Sequence, residues 1–209
     1  MKKFVFAAAV ALMVSACGGG GGDGGNPNSP VATAPAAPAA QLAGYLGTWA
    51  ADCDGREQDV ATITRPAGST DSIAIAFKTE YYAGLNCTGN IVATWTQSAD
   101  VTAVYDGAID SSIVFAAGAA AVSAKVDKVK VTLPAHTQSV VGPNVIHTVK
   151  NGRAQWCIDF GGGNSTCIYD DGAQPAASTS GGLYLRGNEL FELTPSGSVY
   201  VANERYVRK

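Results

Sequence analysis

The sequence predicts an antiparallel all-β domain, and three observations predict it. Apolar residues recur with period two along many short segments, and Gly, Asn and Pro punctuate those segments at close intervals. Little of the chain carries helical periodicity. Such a pattern favours an antiparallel barrel or sandwich, and an up-and-down barrel of about 8–10 strands is expected because closure removes exposed strand edges.

The N-terminus comes first and is different in kind. Lys2 and Lys3 precede an apolar run from Phe4 to Val14, and Val14-Ser15-Ala16-Cys17 follows. A basic end, a short apolar stretch and small residues before a cleavage point describe an export signal. The apolar run falls short of the roughly 20 residues that a bilayer-spanning helix needs. The segment resembles the lipobox of bacterial lipoproteins, in which an apolar residue and two small ones precede an invariant cysteine. On that resemblance residues 1–16 are a signal peptide, and Cys17 becomes the lipid-attachment residue, carrying a diacylglyceryl group and often a third chain such as palmitate. Two or more acyl chains anchor a protein stably where one does not. The family's inner-membrane retention signal is Asp directly after the cysteine. Gly18 stands there, so the resemblance implies an envelope protein of the outer membrane.

Residues 17–41 are rich in Gly, Pro and Ala and carry one charge, Asp23. With so little apolar area to offset ordering entropy, this stretch reads as a disordered tether. At about 5.5 Å times the square root of residue number it spans about 27 Å. No strand precedes the glycine run and no Lys-Ser/Thr follows it, so it is not a phosphate loop.

Residues 42–209 suffice for one domain with a real core. Removing Lys2 and Lys3 from 14 basic residues leaves 12 against 17 acidic ones, a net charge of −5. A mildly acidic chain without a basic stripe is no nucleic-acid binder, and its membrane contact is expected through the lipid on Cys17 alone.

Four cysteines remain, Cys53, Cys87, Cys157 and Cys167, and an even count outside the cytoplasm favours disulfides. The sequential pairing Cys53–Cys87 and Cys157–Cys167 is expected. Ala154, Trp156, Ile158 and Phe160 alternate with Gln155, Cys157 and Asp159, which places Cys157 on the outer face of a strand. Gly161-Gly162-Gly163-Asn164 makes a turn that returns Cys167 opposite it. The spacings lack the close cysteine pairs of a zinc site.

The strands follow from alternation. Ile73, Ile75 and Phe77 share one face, as do Ile91, Ala93 and Trp95, and Val129, Val131 and Leu133. Leu183–Arg186, Glu189–Leu193 and Val199–Tyr206 read as three strands joined by turns at Gly187-Asn188 and Pro195-Ser196-Gly197. Further strands are expected near Tyr45–Ala50, Val60–Arg65, Val101–Tyr105 and Val145–Lys150. Alanine-rich Ile113–Val122 is expected to form a short helix interrupted by Gly118.

Gly47-Thr48-Trp49, on the first strand, resembles the Gly-x-Trp signature that opens lipocalins and lipocalin-like barrels. The resemblance implies a lipocalin-like barrel closed at one end by Trp49 against a basic residue of the last strand, Arg205 or Arg208. Thr79-Glu80-Tyr81 is similar to the family's Thr-Asp-Tyr loop motif, at an earlier place in the chain.

No nucleophile elbow, zinc-protease helix, Walker loop or dinucleotide fingerprint is present, so no enzyme activity, cofactor or metal is expected. His136 and His147 are the only histidines, and strand numbering puts His147 with Val145 and Val149 on a partly buried face. Asp52, Asp54, Glu57 and Asp59 surround Gly55 without calcium-loop spacing and read as a solvated turn. Trp49, Phe77, Trp95, Tyr105, Trp156 and Phe191 sit on apolar faces, where they line a ligand cavity or fill the core. The expected function is a membrane-anchored binding module for a small apolar ligand or a protein partner. The alternative is an envelope-maintenance lipoprotein with a solid barrel.

Overall fold

The computed structural model describes Leu42 to Lys209, so the expectations for Cys17, the export segment and the tether lie outside the described residues. A 3-10 turn at Ala43–Tyr45 leads into β1 (Gly47–Ala51), β2 (Glu57–Thr64) and β3 (Ser72–Gly84). Then come β4 (Thr88–Gln97), β5 (Val101–Val114), β6 (Val122–Leu133), β7 (Gln138–Val141) and β8 (Val145–Lys150). β9 (Arg153–Gly161), β10 (Asn164–Tyr169), β11 (Ala177–Arg186), β12 (Glu189–Ser196) and β13 (Val199–Arg208) follow. The domain is all-β with antiparallel sheets, and its strands outnumber the expected ones because the long chain segments after β3 build more than one layer.

Antiparallel pairing runs β1–β2–β3–β5–β6–β11–β12–β13 and returns from β13 to β1, so these strands close a ring. β3 is shared between two neighbours. Its first part, Ser72–Ile75, pairs with β5, and from Lys78 onward it pairs with β4. β4 and β7 therefore extend the wall past the ring. A separate sheet, β8–β9–β10, packs Trp156, Ile158 and Ile168 against Tyr81, Val92, Ala93 and Val140 of that extension.

The β5–β6 hairpin is long, and its outer half lies against the outside of the ring. There Ile113 and Val126 pack with Phe191 and Leu193, and Val199–Val201 of β13 runs parallel to Ser112–Val114. The expected helix at Ile113–Val122 is absent: Ile113 and Val122 face each other across the hairpin, and the chain between Val114 and Val122 turns. Gly118 takes a φ of +76°, a turn conformation open to glycine, and the β-branched residues on either side gain more from pairing than a short helix gains from propensity. Gly182 allows the close approach of hairpin and ring. A Cβ there would lie 2.6 Å from Val126 Cγ1 and 3.0 Å from the Tyr200 ring.

Inside the ring the alternation holds. Trp49, Ala61, Ile73, Ile75, Val101, Ala103, Val129, Leu190 and Tyr206 belong to one buried cluster. It fails at Ile91, which is exposed rather than on the apolar face. The β3–β4 register shifts between Tyr81 and Tyr82, and this bulge moves Ile91 opposite Tyr82 and turns it outward.

Both disulfides form as expected. Cys157 and Cys167 are directly opposed across β9 and β10, and Cys53–Cys87 ties the β1–β2 turn to the 3-10 turn Leu85–Cys87 after β3. The two bridges span 34 and 10 residues. Loop-closure entropy makes the longer one more stabilising, by about 3–4 kcal/mol against about 2–3 kcal/mol. Urea unfolding of the paired Cys→Ser variants should order them that way. A larger loss on removing Cys157–Cys167 would contradict the loop-entropy account.

Candidate functional site: a closed apolar lumen with an acidic end

The floor of the lumen is built from the two chain ends of the domain. Trp49 is 0 % exposed, and its indole Nε1–H donates to the Tyr45 carbonyl at 2.7 Å. Arg208, its register partner on β13, lies 4.1 Å over the ring. The same guanidinium donates to the Leu46 carbonyl at 2.8 Å and the Gly44 carbonyl at 2.7 Å. Tyr45 donates its hydroxyl to Asp127 at 2.7 Å, and burial pushes its phenol pKa up, with the Asp127 bond adding to the shift. Arg208 is thus the basic residue over the tryptophan. Arg205 is engaged elsewhere, bound to Asp52 and Glu189 at 2.7 Å each.

Above the floor the ring is incompletely filled. A cavity of about 50 Å³ is lined by residues of β2, β3, β5, β6, β11, β12 and β13. Small residues leave the space: Ala61, Ala103 and Gly181 stand where larger side chains would fill an eight-stranded ring. Ile63, Ile75, Phe77, Val101, Val129 and Leu190 make the walls apolar. Four polar side chains interrupt them, Tyr206 and Glu192 together with Ser180 and Thr194. Tyr206 is 2 % exposed, and its hydroxyl is the one buried side-chain polar atom among the described residues without a hydrogen-bond partner.

Carboxylates gather at the end opposite the floor. Glu57 and Asp59 continue the inward phase of Ala61 and Ile63 along β2, and Asp59 pairs in register with Thr79, whose hydroxyl donates to it at 2.6 Å. Glu192 and Glu204 are directly opposite each other on β12 and β13. Burial, then the Glu204 charge, pushes the Glu192 carboxyl up to about 7. Burial also raises Asp59, against the Thr79 bond, and raises Glu57, where Asp59 and Asp54 add to the shift. The Tyr206 phenol is held high by burial and then by the charges of Glu192, Asp59 and Glu204. Among the described residues, no group of three or more His, Cys, Asp or Glu side chains is arranged to hold a metal ion.

No family model, curated protein or solved structure matches the chain.

The aromatic residues singled out in the sequence scatter. Phe77 lines the cavity, Trp49 forms the floor, and Tyr105 packs against the ring core. Trp95 and Trp156 belong to the side core under the three-stranded sheet. Phe191 is buried outside the ring, 4.8 Å from Phe115. Alternation separates two faces of a strand, but here both faces of β12 are covered, so an apolar face does not identify the lumen. Thr79-Glu80-Tyr81 lies inside β3 and not in a loop.

The acidic cluster also divides. Asp52 and Asp54 are in the turn region, but Glu57 opens β2 and Asp59 is partly buried within it. His147 is exposed, contrary to its expected partial burial, because the end of β8 overhangs the core; Val149 beside it is 67 % exposed. Its Nε2 lies 3.0 Å from Asp170. His136 is buried and contacts the Pro134 carbonyl. The sequence reading passed over Tyr206 and Glu192 and took Asp59 for part of a solvated turn. Their signal was available: each acid stands two residues from an inward apolar side chain, as in Asp59–Ala61 and Leu190–Glu192.

Proposed function

We propose that this chain is an exported lipoprotein, anchored through Cys17 in the outer membrane. On this reading it presents a lipocalin-like up-and-down barrel whose lumen binds a small apolar ligand. The observation that carries the binding reading is the cavity lined by the strands of the ring, with mostly apolar walls and one unpartnered phenol. Mostly apolar walls with a few placed polar groups are the usual make-up of a ligand pocket. The Trp49–Arg208 floor supports the lipocalin-like reading. A cavity of about 50 Å³ is far below the roughly 300–1,000 Å³ of drug-sized pockets. The ligand is therefore a molecule of a few heavy atoms, or the end of a longer one.

Intact-mass spectrometry of protein purified from membranes tests the anchor. A chain beginning at Cys17 with added acyl mass supports it, and an unlipidated chain cut elsewhere rules it out. Gentle-ionisation spectra of the same preparation test the lumen: a small bound mass that a Phe77→Trp variant loses supports ligand binding. A ligand-free protein, with parent and Phe77→Trp variant alike, would favour the structural role of a solid barrel.

A further inference from the structure

Resting on the proposal that the lumen is a ligand site, we infer that its ligand is a neutral carbonyl compound, a ketone, aldehyde or ester whose apolar body fills the cavity and whose oxygen accepts a hydrogen bond from Tyr206.

Two phenols of this fold are equally enclosed and differently served. Tyr45 and Tyr206 are each 2 % exposed. Tyr45 donates its hydroxyl to Asp127. Tyr206 lines the cavity, and its hydroxyl has no partner in the protein. A buried hydroxyl left unpaired is costly, and a ligand oxygen in the cavity would remove that cost.

The chemistry of the phenol selects an acceptor. Burial, then the charge of Glu192, raises its pKa, so it stays protonated and offers an O–H. The oxygen lone pair is shared with the ring, which makes a phenol a better donor than acceptor. A carbonyl oxygen accepts and has nothing to donate, so it matches the group that lacks a partner. Charge then decides between a neutral and an anionic acceptor. Glu192 lines the same cavity, and a second carboxylate in an apolar enclosure beside it is disfavoured by desolvation and by repulsion. The walls around Ala61, Ala103 and Val129 suit a short aliphatic body. Thr194 lines the cavity and is exposed, which leaves a way out for the remainder of a longer molecule.

The experiment titrates three probes of similar shape, acetone, isobutene and acetate, into the full mature protein in detergent at pH 8. Detergent alone serves as the blank. Binding is followed by NMR through the methyl signals of Ala61 and Ala103, in the parent and in Tyr206→Phe. The variant keeps the ring and removes only the unpaired hydroxyl, so it should fold as the parent does. Isobutene binding by the variant checks that it has. Acetone and isobutene are expected to bind the parent, and acetate is not. Tyr206→Phe should weaken acetone about tenfold and leave isobutene within about twofold. Acetone that ignores the variant, or fails to bind where isobutene binds, overturns the carbonyl assignment and leaves the ligand-site reading standing. Equal losses for acetone and isobutene assign the effect to packing and overturn it too. Acetate binding as tightly as acetone overturns the neutral class. A lumen that takes neither acetone nor isobutene overturns both readings.

Discussion

Trp49→Ala should destabilise the domain by about 3–5 kcal/mol, the range for deleting a buried large aromatic side chain. The residue is fully buried, so the cost includes a cavity as well as lost apolar transfer. Two further losses are coupled to it. The Tyr45 carbonyl loses its indole donor, and Arg208 loses the ring it lies on. For a domain of this size the melting temperature should fall by roughly 8–15 °C. Arg208→Lys isolates the second contribution, because an ammonium cannot donate to the Gly44 and Leu46 carbonyls in the fork that a guanidinium offers. It should cost about 1–3 kcal/mol. Thermal unfolding followed by near-ultraviolet circular dichroism measures both. A Trp49→Ala loss below about 1 kcal/mol, the size of an ordinary surface change, would mean that the floor is not a structural closure.

The floor was legible because its parts announce themselves locally. Gly47-Thr48-Trp49 stands at the start of the first strand, and Arg208 at the end of the last, so any ring closed by β1 and β13 brings them together. The disulfides were legible for a similar reason: Cys157 and Cys167 flank one glycine turn, which fixes their register. Layering was not legible. Phe191 and Leu190 look alike in sequence, yet one faces the β5–β6 hairpin and the other the lumen. Which face is inside depends on where the hairpin lies, and that is a tertiary fact carried by Gly182 and by the parallel contact between β13 and β5. The bulge at Tyr81 and Tyr82 is likewise invisible to a strict period of two, so Ile91 was placed on the wrong face. Acids in phase with apolar residues were read as turn or solvent residues because burial of a carboxylate is the exception. Those exceptions became the candidate site.

Glu192→Gln should stabilise the folded domain at neutral and alkaline pH. Glu192 has an ordinary value of 4.5 and a folded value of about 7, so the proton is held more tightly in the folded chain. Below about pH 4.5 the group is protonated in both states and costs nothing. Between about 4.5 and 7 the unfolded chain releases a proton that the folded chain keeps, and stability falls as pH rises. Above 7 the folded chain must carry the charge inside the ring, beside Glu204 and within reach of Asp59 and Tyr206. The full loss is about 3 kcal/mol. Gln has nearly the same shape and no charge, so the variant should match the parent near pH 4 and exceed it by about 3 kcal/mol at pH 8.

Other groups tilt the absolute curves. Raised Glu57 and Asp59 act in the same direction, while Glu189, lowered by its hydrogen bonds to Arg186 and Arg205, acts oppositely. The difference between parent and variant cancels these to first order. Urea unfolding at several pH values gives that difference directly. A gap independent of pH would mean that Glu192 titrates as it would in water, and that the upper end of the lumen is wet rather than enclosed. A gap that opens between about pH 4.5 and 7 and then stays constant would mean that the ring tolerates a buried carboxylate at a standing cost in stability. Function is a common reason for proteins to bear that cost.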